Sequence, residues 1–169
     1  MRVGEYEAGT VKHRENLSAR AILYKAAATE LLALVPTTTT EIRVRYAETD
    51  QMQVVYHTNY LIWCEVGRTD FMRQHGMSYS DMEKGGIALT VIDYSVRLHA
   101  SARYDDVVRI ATTLTDVRSR QVTFEYLLTN AASGHRLATA RTSLISISTE
   151  GRPISMPVDI RSRLQAVSG

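Results

Sequence analysis

The stretch from residue 41 to residue 60 reads EIRVRYAETDQMQVVYHTNY and sets three elements in succession. Residues 41–46 alternate polar and apolar side chains, which is typical of a strand with one buried face. Two acids, Glu48 and Asp50, follow at the strand end. A helix is then predicted from Asn59 to about His75, because apolar side chains recur there at helical spacing. The stretch therefore predicts a strand, an acidic loop and a helix start that adjoin one another.

The loop combines a carboxylate with a predicted helix start, and these are groups that can hydrolyse an acyl bond. Asp50 lies seven residues before His57, close to the predicted helix start. The first N–H groups of a helix lack intrahelical partners and stabilise negative charge. A carboxylate that faces such groups can drive the attack of water on an acyl bond. The alternative role for Asp50 is that of a turn residue whose side chain accepts a bond from a nearby backbone N–H.

The composition fits one ordinary domain. The chain has 169 residues, of which 44% are hydrophobic. A formal charge of +2, with dispersed basic residues, gives no support for a nucleic-acid partner. The single cysteine, Cys64, fits a reducing cytoplasm and is expected to be a small core residue. No run approaches the ~20 apolar residues of a membrane span, and charges interrupt the N-terminus where a secretory signal would lie.

The remaining pattern is mostly β. Residues 1–40 are predicted to form an N-terminal extension, with a helix over residues 17–35 and a linker at Pro36 and Thr37–Thr40, ahead of a domain over residues 41–169. Within that domain the pattern predicts a short helix over residues 78–84 and a closing helix over residues 157–167. Long strands are predicted over residues 87–99, 106–117, 121–130 and 136–148, joined by short polar turns. The pattern alone predicts an α+β fold with one dominant helix on an antiparallel sheet.

The loop and helix also resemble a known family. The sequence is similar to the aspartate-type hotdog-fold thioesterases, namely the 4-hydroxybenzoyl-CoA thioesterase family and its bacterial acyl-CoA relatives. Their pattern is an aromatic residue, D/E-T-D, V-[YF]-[HY]-x-N-Y and a helical E-x-x-R. It is matched here by Tyr46, Glu48-Thr49-Asp50, Val54-Val55-Tyr56-His57, Asn59-Tyr60, Glu65 and Arg68, and Ala102–Asp106 resembles the family's A-R-x-D-D. Met52-Gln53 departs from the pattern, because the family has small residues there.

The resemblance implies a curved antiparallel sheet wrapped around one long helix, and hydrolysis of acyl-CoA thioesters without a cofactor or metal. Asp50 would be the base or nucleophile, and the backbone N–H at His57 would polarise the thioester carbonyl. Tyr56 would line the site or pack beneath it, while Thr58 and Asn59 are candidates to cap the helix or orient the loop. The resemblance also implies a homo-oligomer, dimer or tetramer, in which sheets join edge to edge and the substrate lies between subunits.

The sequence leaves two alternative roles for several side chains. Glu65 is the second candidate for the catalytic acid, since another branch of hotdog thioesterases carries its carboxylate on this helix, but it could instead pair with Arg68. The His57 imidazole could simply pack. Arg103, Arg118 and Arg120 fall in predicted turns or strand ends, where they could bind the phosphates of coenzyme A or remain solvated.

Three rival functions stay open at this point. A thioesterase could release acyl or polyketide chains from an acyl-carrier protein. A hotdog dehydratase would use a histidine with an acid on the helix. A non-catalytic module would bind acyl-CoA without turnover.

Overall fold

The computed structural model describes residues 36–169, so the helix predicted over residues 17–35 lies outside the described residues. The strands are β1 (Thr37–Arg43), β2 (Ile87–Leu98), β3 (Val107–Val117), β4 (Gln121–Asn130) and β5 (Arg136–Ser148). The helices are α1 (Asn59–Gln74), α2 (Tyr79–Lys84) and α3 (Val158–Ala166), and a 3₁₀ turn spans Tyr46–Glu48. The predicted α+β arrangement is confirmed.

The five strands form one antiparallel sheet in the order β1-β3-β4-β5-β2. Short turns join β3 to β4 and β4 to β5, which suits neighbouring antiparallel strands. Strand β2 lies at one edge and pairs only with β5 within the described chain. A register shift between Val91 and Asp93 marks a bulge in that strand.

Helix α1 lies on the inner face of the sheet and packs mainly on β1 and β3. Its buried face includes Tyr60, Trp63, Cys64 and Phe71. On β3 and β4 the residues that face it alternate along each strand and are all buried: Val108, Ile110, Thr112, Leu114, Val122, Phe124, Tyr126 and Leu128. Since each of these side chains leaves water on folding, the helix–sheet interface supplies most of the hydrophobic core.

Gly67 sets how closely α1 approaches the sheet. The structure buries Gly67 and exposes its neighbour Val66. A Cβ atom on Gly67 would lie 2.6 Å from Thr112 Oγ1 and 2.8 Å from Ile110 Cγ2. Only a residue without a side chain fits at this crossing.

Two boundary predictions are wrong, and both concern β1. Thr37–Thr40 was predicted to be a linker, but these threonines form the first half of β1 and pair with Thr113 to Ile110 of β3. The physical reason is that β-branched threonine suits a pleated, half-buried surface, and Thr38 is buried against β3. The strand predicted over residues 41–46 also ends early, at Arg43, because the chain turns there and Tyr46 begins the 3₁₀ turn. The remaining predicted strands and helices among residues 36–169 are observed within one residue of their predicted ends.

Candidate active site

The candidate site is a loop, residues 46–58, between β1 and α1. A buried carboxylate holds its first part in place. Glu48 accepts hydrogen bonds from Arg45 N (2.7 Å), Arg45 Nη2 (2.8 Å) and Trp63 Nε1 (3.1 Å). Burial alone would raise the pKa of Glu48, but the bonds from Arg45 and Trp63 outweigh burial and hold the pKa below its ordinary value. Glu48 is therefore a charged anchor that ties the loop to α1.

Asp50 lies in a tight hairpin within the same loop. Its N–H donates to Val54 O (2.9 Å), and its own carbonyl accepts from Gln53 N (2.9 Å). The side-chain oxygen Oδ1 accepts from Met52 N (2.8 Å), so the turn role considered for this aspartate is observed. The other oxygen, Oδ2, has no partner within residues 36–169. One oxygen thus fixes the carboxylate, and the second can act on a ligand.

The Met52-Gln53 departure has a visible structural consequence. Gln53 has a φ of 59°, in the left-handed region that favours glycine. The hairpin that holds Asp50 compensates for this unfavourable backbone, and Arg103 Nη1 donates to Gln53 O (3.4 Å). A small-residue loop would reach the same turn with less strain, because glycine adopts positive φ freely.

The helix start lies directly after the hairpin. Asn59 N donates to Tyr56 O (3.0 Å), and Leu61 N donates to Thr58 O (3.1 Å), so a first turn forms before α1 proper. The backbone N–H groups of His57 and Thr58 have no hydrogen-bond partner in the described part of the chain. Such groups, at the positive end of a helix, are suited to bind an anion or a polarised carbonyl oxygen.

The neighbouring connection, residues 99–106, supports this start from the other side. Val55 N donates to Ala102 O (2.9 Å), and Ala102 N donates to the hydroxyl of Tyr60 (3.2 Å). The buried Tyr60 and Trp63 rings pack 5.0 Å apart beneath the loop. The loop is therefore held between α1 and the segment after β2.

The structure brings most of the predicted site residues together here. The Tyr56 and His57 rings contact each other, with centroids 4.3 Å apart, and both residues are exposed. Asn59 Nδ2 donates to Glu48 O (2.9 Å), so Asn59 orients the loop as expected. Thr58 occupies the position before α1, but its side chain makes no capping bond.

Glu65 lies elsewhere on α1. It lines a groove of about 360 Å³ together with Thr40, Ile62, Val66, Thr69, Asp70 and Arg73. The lining of this groove does not include Asp50. Glu65 also makes no ion pair with Arg68 in the described residues. A direct catalytic role for Glu65 therefore stays a prediction that this geometry does not favour.

The three arginines separate into two places. Arg103 adjoins the hairpin. Arg118 and Arg120 lie in the β3–β4 turn, at the far end of β3 from the loop, which is roughly 30 Å along the strand. Arg118 Nε pairs with Asp116 Oδ2 (2.7 Å). Of these three arginines, only Arg103 adjoins the candidate site in the described part of the chain.

Two side chains were missed by sequence reasoning. The Trp63 indole and the Tyr60 hydroxyl both bond to the loop segments, although the periodicity marked them only as core residues. A buried tryptophan or tyrosine usually needs a hydrogen-bond partner, and that need was the available signal. Cys64 behaves as expected, since burial raises the pKa of its thiol to about 12 against the opposing charge of Arg68.

Across residues 36–169 no cluster of three histidine, cysteine or acidic side chains is arranged to hold a metal ion. In the same range no helix is both long enough and apolar enough to span a membrane.

The class of protein follows from comparison with known sequences. The thioesterase-like superfamily matches residues 44–164, from the end of β1 into α3. The chain belongs to this superfamily. The resemblance seen in the loop motif is therefore confirmed, and so is the class of enzyme, a thioester hydrolase.

Particular relatives narrow the comparison. The chain is 40% identical over 115 residues to "Putative acyl-CoA thioesterase YneP" of Bacillus subtilis (strain 168), covering 68% of this chain and 83% of that protein. It is 34% identical over 90 residues to acyl-CoA thioester hydrolase YbgC of Escherichia coli O6:H1, covering 53% of this chain and 67% of that protein.

Solved structures agree on the architecture. The DHNA-CoA thioesterase from Staphylococcus aureus superposes with a TM-score of 0.74 at 36% identity, covering 78% of this chain and 90% of that chain. The hypothetical protein TT1821 from Thermus thermophilus has the same TM-score at 33% identity, covering 79% and 98%. The predicted hotdog fold is thereby confirmed.

Proposed function

We propose that the protein hydrolyses acyl-CoA thioesters to the free acid and CoA, with Asp50 driving the attack. The observation that supports this most directly is the pairing of a fixed carboxylate with an unused oxygen and two free N–H groups at a helix start. The names of YneP and YbgC support the substrate class. The pairing provides a base or nucleophile beside an oxyanion-binding site, as acyl transfer requires.

In this mechanism the thioester carbonyl oxygen accepts from the backbone N–H of His57, with that of Thr58 beside it. Negative charge grows on this oxygen as the carbonyl carbon becomes tetrahedral, so donors fixed in advance stabilise the transition state more than the substrate. Asp50 either removes a proton from the attacking water or attacks the carbonyl itself to give a transient anhydride. Both routes use the same carboxylate oxygen, Oδ2. Tyr56 and the His57 ring form the exposed border of the site.

We further propose that two copies of the chain complete each site, as a dimer or a pair of dimers. Strand β2 is an edge strand, and Val91, Ile92, Val96 and Leu98 on it are exposed. An unpaired edge with apolar side chains favours pairing with another strand, and isologous dimers are the commonest soluble oligomers. In such an assembly, Arg118 and Arg120 can serve only a site on another subunit. A cytoplasmic location agrees with the single, buried cysteine.

The test of the chemistry is thiol release from a panel of acyl-CoAs, followed with a thiol-reactive dye. Asp50→Asn is expected to lower kcat about a hundredfold or more, the usual contribution of a positioned acid or base. Asp159→Asn is the matched control, because Asp159 is exposed on α3 and lies outside the loop. It is expected to retain wild-type rates.

Each outcome selects one function. Release that collapses only in Asp50→Asn supports the proposal. Equal rates in wild type and Asp50→Asn refute the role of Asp50. Release from an acyl-carrier protein but not from CoA favours the carrier-dependent thioesterase, whereas binding without release favours an acyl-CoA-binding module. A dehydratase would lose activity on His57→Ala and keep it in Asp50→Asn.

The test of assembly is sedimentation. Val96→Lys puts a charge on the exposed part of β2, and it is expected to convert the oligomer to monomer and to lower thiol release with it. Val158→Lys makes the same change at a more exposed valine on α3 and should leave the oligomer intact. An unchanged sedimentation coefficient in Val96→Lys would contradict pairing through β2.

A further inference from the structure

An exposed pair of tyrosines adjoins the candidate loop and takes no part in the mechanism above. The rings of Tyr46 and Tyr104 meet edge to face, with centroids 5.7 Å apart and an interplanar angle of 86°. Their exposed fractions are 78% and 59%. The most exposed large hydrophobic side chains of residues 36–169 are these two, Met52 and Val158, and only Val158 lies away from the loop and its supporting connection. Exposed apolar surface concentrated in one place is typical of a binding surface.

The backbone beneath both rings is held by hydrogen bonds. Tyr46 begins the 3₁₀ turn, and its carbonyl accepts from Thr49 N (3.2 Å) and Thr49 Oγ1 (2.8 Å). Tyr104 lies in the connection after β2. The next residue, Asp105, donates its N–H to Val44 O (3.1 Å), just after β1. The position of the tyrosine pair is therefore set by the backbone of the loop and of the connection.

Arg103 supplies a positive charge beside this pair. Its exposed guanidinium forms no ion pair among residues 36–169, and its side chain makes one long hydrogen bond there, from Nη1 to Gln53 O (3.4 Å). The acids that follow it have other partners. Asp105 Oδ1 pairs with Arg43 Nη1 (3.1 Å). Asp106 Oδ2 accepts from the backbone N–H of Arg103 (2.8 Å). Most donors of the Arg103 fork therefore remain for a ligand, and such a fork matches the oxygens of a phosphate.

Aromatic faces beside an arginine are suited to a nucleotide. Any base stacks on a tyrosine ring, because every base has a π face. In an edge-to-face pair the edge of one ring covers only one face of the other, so both rings keep a face for stacking. The arginine adds charged hydrogen bonds to phosphate. A nucleotide carries both groups, whereas the phosphopantetheine of a carrier protein has a phosphate and no base.

The tyrosine pair lies close to the candidate carboxylate. Tyr46 precedes Asp50 by four residues, so their Cα atoms are at most about 14 Å apart. Gln53, whose carbonyl accepts from Arg103, donates its own N–H to Asp50 O (2.9 Å). In an acyl-CoA the flexible pantetheine arm joins the thioester to the nucleotide. A thioester at Asp50 and a nucleotide on the tyrosines are therefore compatible with one bound molecule.

We propose, on the basis of the function proposed above, that Tyr46, Tyr104 and Arg103 bind the adenine nucleotide of acyl-CoA. The adenine ring stacks on the tyrosine pair, and the guanidinium binds phosphate oxygens. This surface selects the carrier: it favours CoA esters over esters of the same acid with pantetheine or an acyl-carrier protein. The contacts are the same in the substrate and in the transition state, because the nucleotide takes no part in the reaction. They therefore lower KM and leave kcat unchanged.

The experiment measures thiol release from one acyl group carried on CoA and on pantetheine, the acyl group being the one that wild type hydrolyses fastest. The ratio of kcat/KM for the CoA ester to that for the pantetheine ester is determined for wild type, Tyr46→Ala, Tyr104→Ala and Arg103→Met. Tyr46→Phe and Tyr104→Phe keep the aromatic faces and test stacking itself. Val158→Ala and Arg141→Met are the matched controls, since both residues are exposed on other elements. Adenosine 3′,5′-bisphosphate is titrated into each variant by calorimetry, which needs no turnover.

Wild type is expected to favour the CoA ester about tenfold or more, and each alanine variant should lower the ratio about tenfold, the effect of one lost stacking contact. The change should fall on KM for the CoA ester. Arg103→Met should lower the ratio severalfold, while the phenylalanine variants and both controls keep it. The alanine variants should also bind adenosine 3′,5′-bisphosphate more weakly than wild type.

The outcomes separate this inference from the proposed function. Equal kcat/KM for the two esters in wild type overturns the inference and leaves the proposed function standing, even where the bisphosphate binds, because the surface then serves a free nucleotide. A preference for CoA that every variant retains also overturns it, because the nucleotide then lies elsewhere. Binding of the bisphosphate that the alanine variants lose, without thiol release from any ester, refutes the hydrolysis and keeps the nucleotide site. The absence of both binding and release overturns both.

Discussion

Replacement of Glu48 by glutamine separates an anchoring role from a catalytic one. The carboxylate accepts three bonds, two from Arg45 and one from Trp63. Glutamine offers one acceptor oxygen and turns an NH₂ group toward the remaining donors. Bonds to a charged group contribute about 1.5–3 kcal/mol each, and a buried donor left unpaired costs about 1–3 kcal/mol. Because the Arg45 side chain is 73% exposed, its share is small, and the buried Trp63 bond dominates.

Glu48→Gln is expected to lower the free energy of unfolding by about 2–3 kcal/mol, because one hydrogen bond is weakened and another is not made. For a chain of this size, that corresponds to a fall in Tm of about 4–12 °C. The measurement is thermal unfolding by circular dichroism. Glu41→Gln is the control, since it breaks a surface pair with Arg109 and should cost about 1 kcal/mol at most. Trp63→Phe should lower the free energy of unfolding less in the Glu48→Gln background than in wild type, because one hydrogen bond joins the two residues.

Activity decides the interpretation. Well below its Tm, Glu48→Gln is expected to keep kcat within about tenfold of wild type, whereas Asp50→Asn falls about a hundredfold or more. The opposite pattern would refute the reasoning. If Glu48→Gln loses activity as fully as Asp50→Asn while its Tm is unchanged, Glu48 is the reacting acid and the anchor is incidental.

Three further predictions concern stability. The pKa of Glu48 is lower in the folded state than in the unfolded state. Its contribution to the free energy of unfolding is therefore present above the unfolded pKa and is lost as the pH falls through the folded pKa. The difference in Tm between wild type and Glu48→Gln should narrow below about pH 4.3. Gly67→Ala should cost about 1–3 kcal/mol in urea unfolding even though alanine favours the helix, and Thr112→Ala in the same chain should restore part of it. Ser78→Ala should cost about 1 kcal/mol in the same assay, because the Ser78 hydroxyl caps α2 at Asp81 N (3.1 Å).

Hydrophobic periodicity predicted most of the strands and helices, because one face of each element is buried and the other is exposed to solvent. Val108, Ile110, Thr112 and Leu114 alternate along β3, so the inward face could be selected without structural information. The failure at Thr37–Thr40 has the opposite cause. A run of four identical residues has no alternation, so the sequence could not show that Thr38 turns inward against β3 while Thr37 and Thr39 face out.

The candidate site was predictable as far as it depends on neighbours in sequence. Asp50 and the helix start lie within nine residues of each other, and local turn chemistry brings them together. Arg103 reaches the hairpin only because the connection after β2 folds back onto Val55, and no local pattern carries that information. The same holds for Arg118 and Arg120, whose distance from Asp50 is set by the length of β3.

The geometry of one helix on five strands also explains where the proposed site must be completed. Helix α1 packs mainly on β1 and β3, so the inner face of β2 is left with Val96 and Leu98 in water. A monomer has no other element in the described range to cover this strip, and exposed apolar surface beside an unpaired strand edge is unfavourable. Under the proposed function, a second copy would remove the edge and a bound acyl chain would cover the strip. Binding of substrate should therefore favour the assembled form, and sedimentation of dilute Asp50→Asn, which keeps the thioester intact, should show more oligomer with saturating acyl-CoA than without it. If the ligand leaves the monomer fraction unchanged, the strip belongs to the subunit contact alone, and the acyl group lies elsewhere.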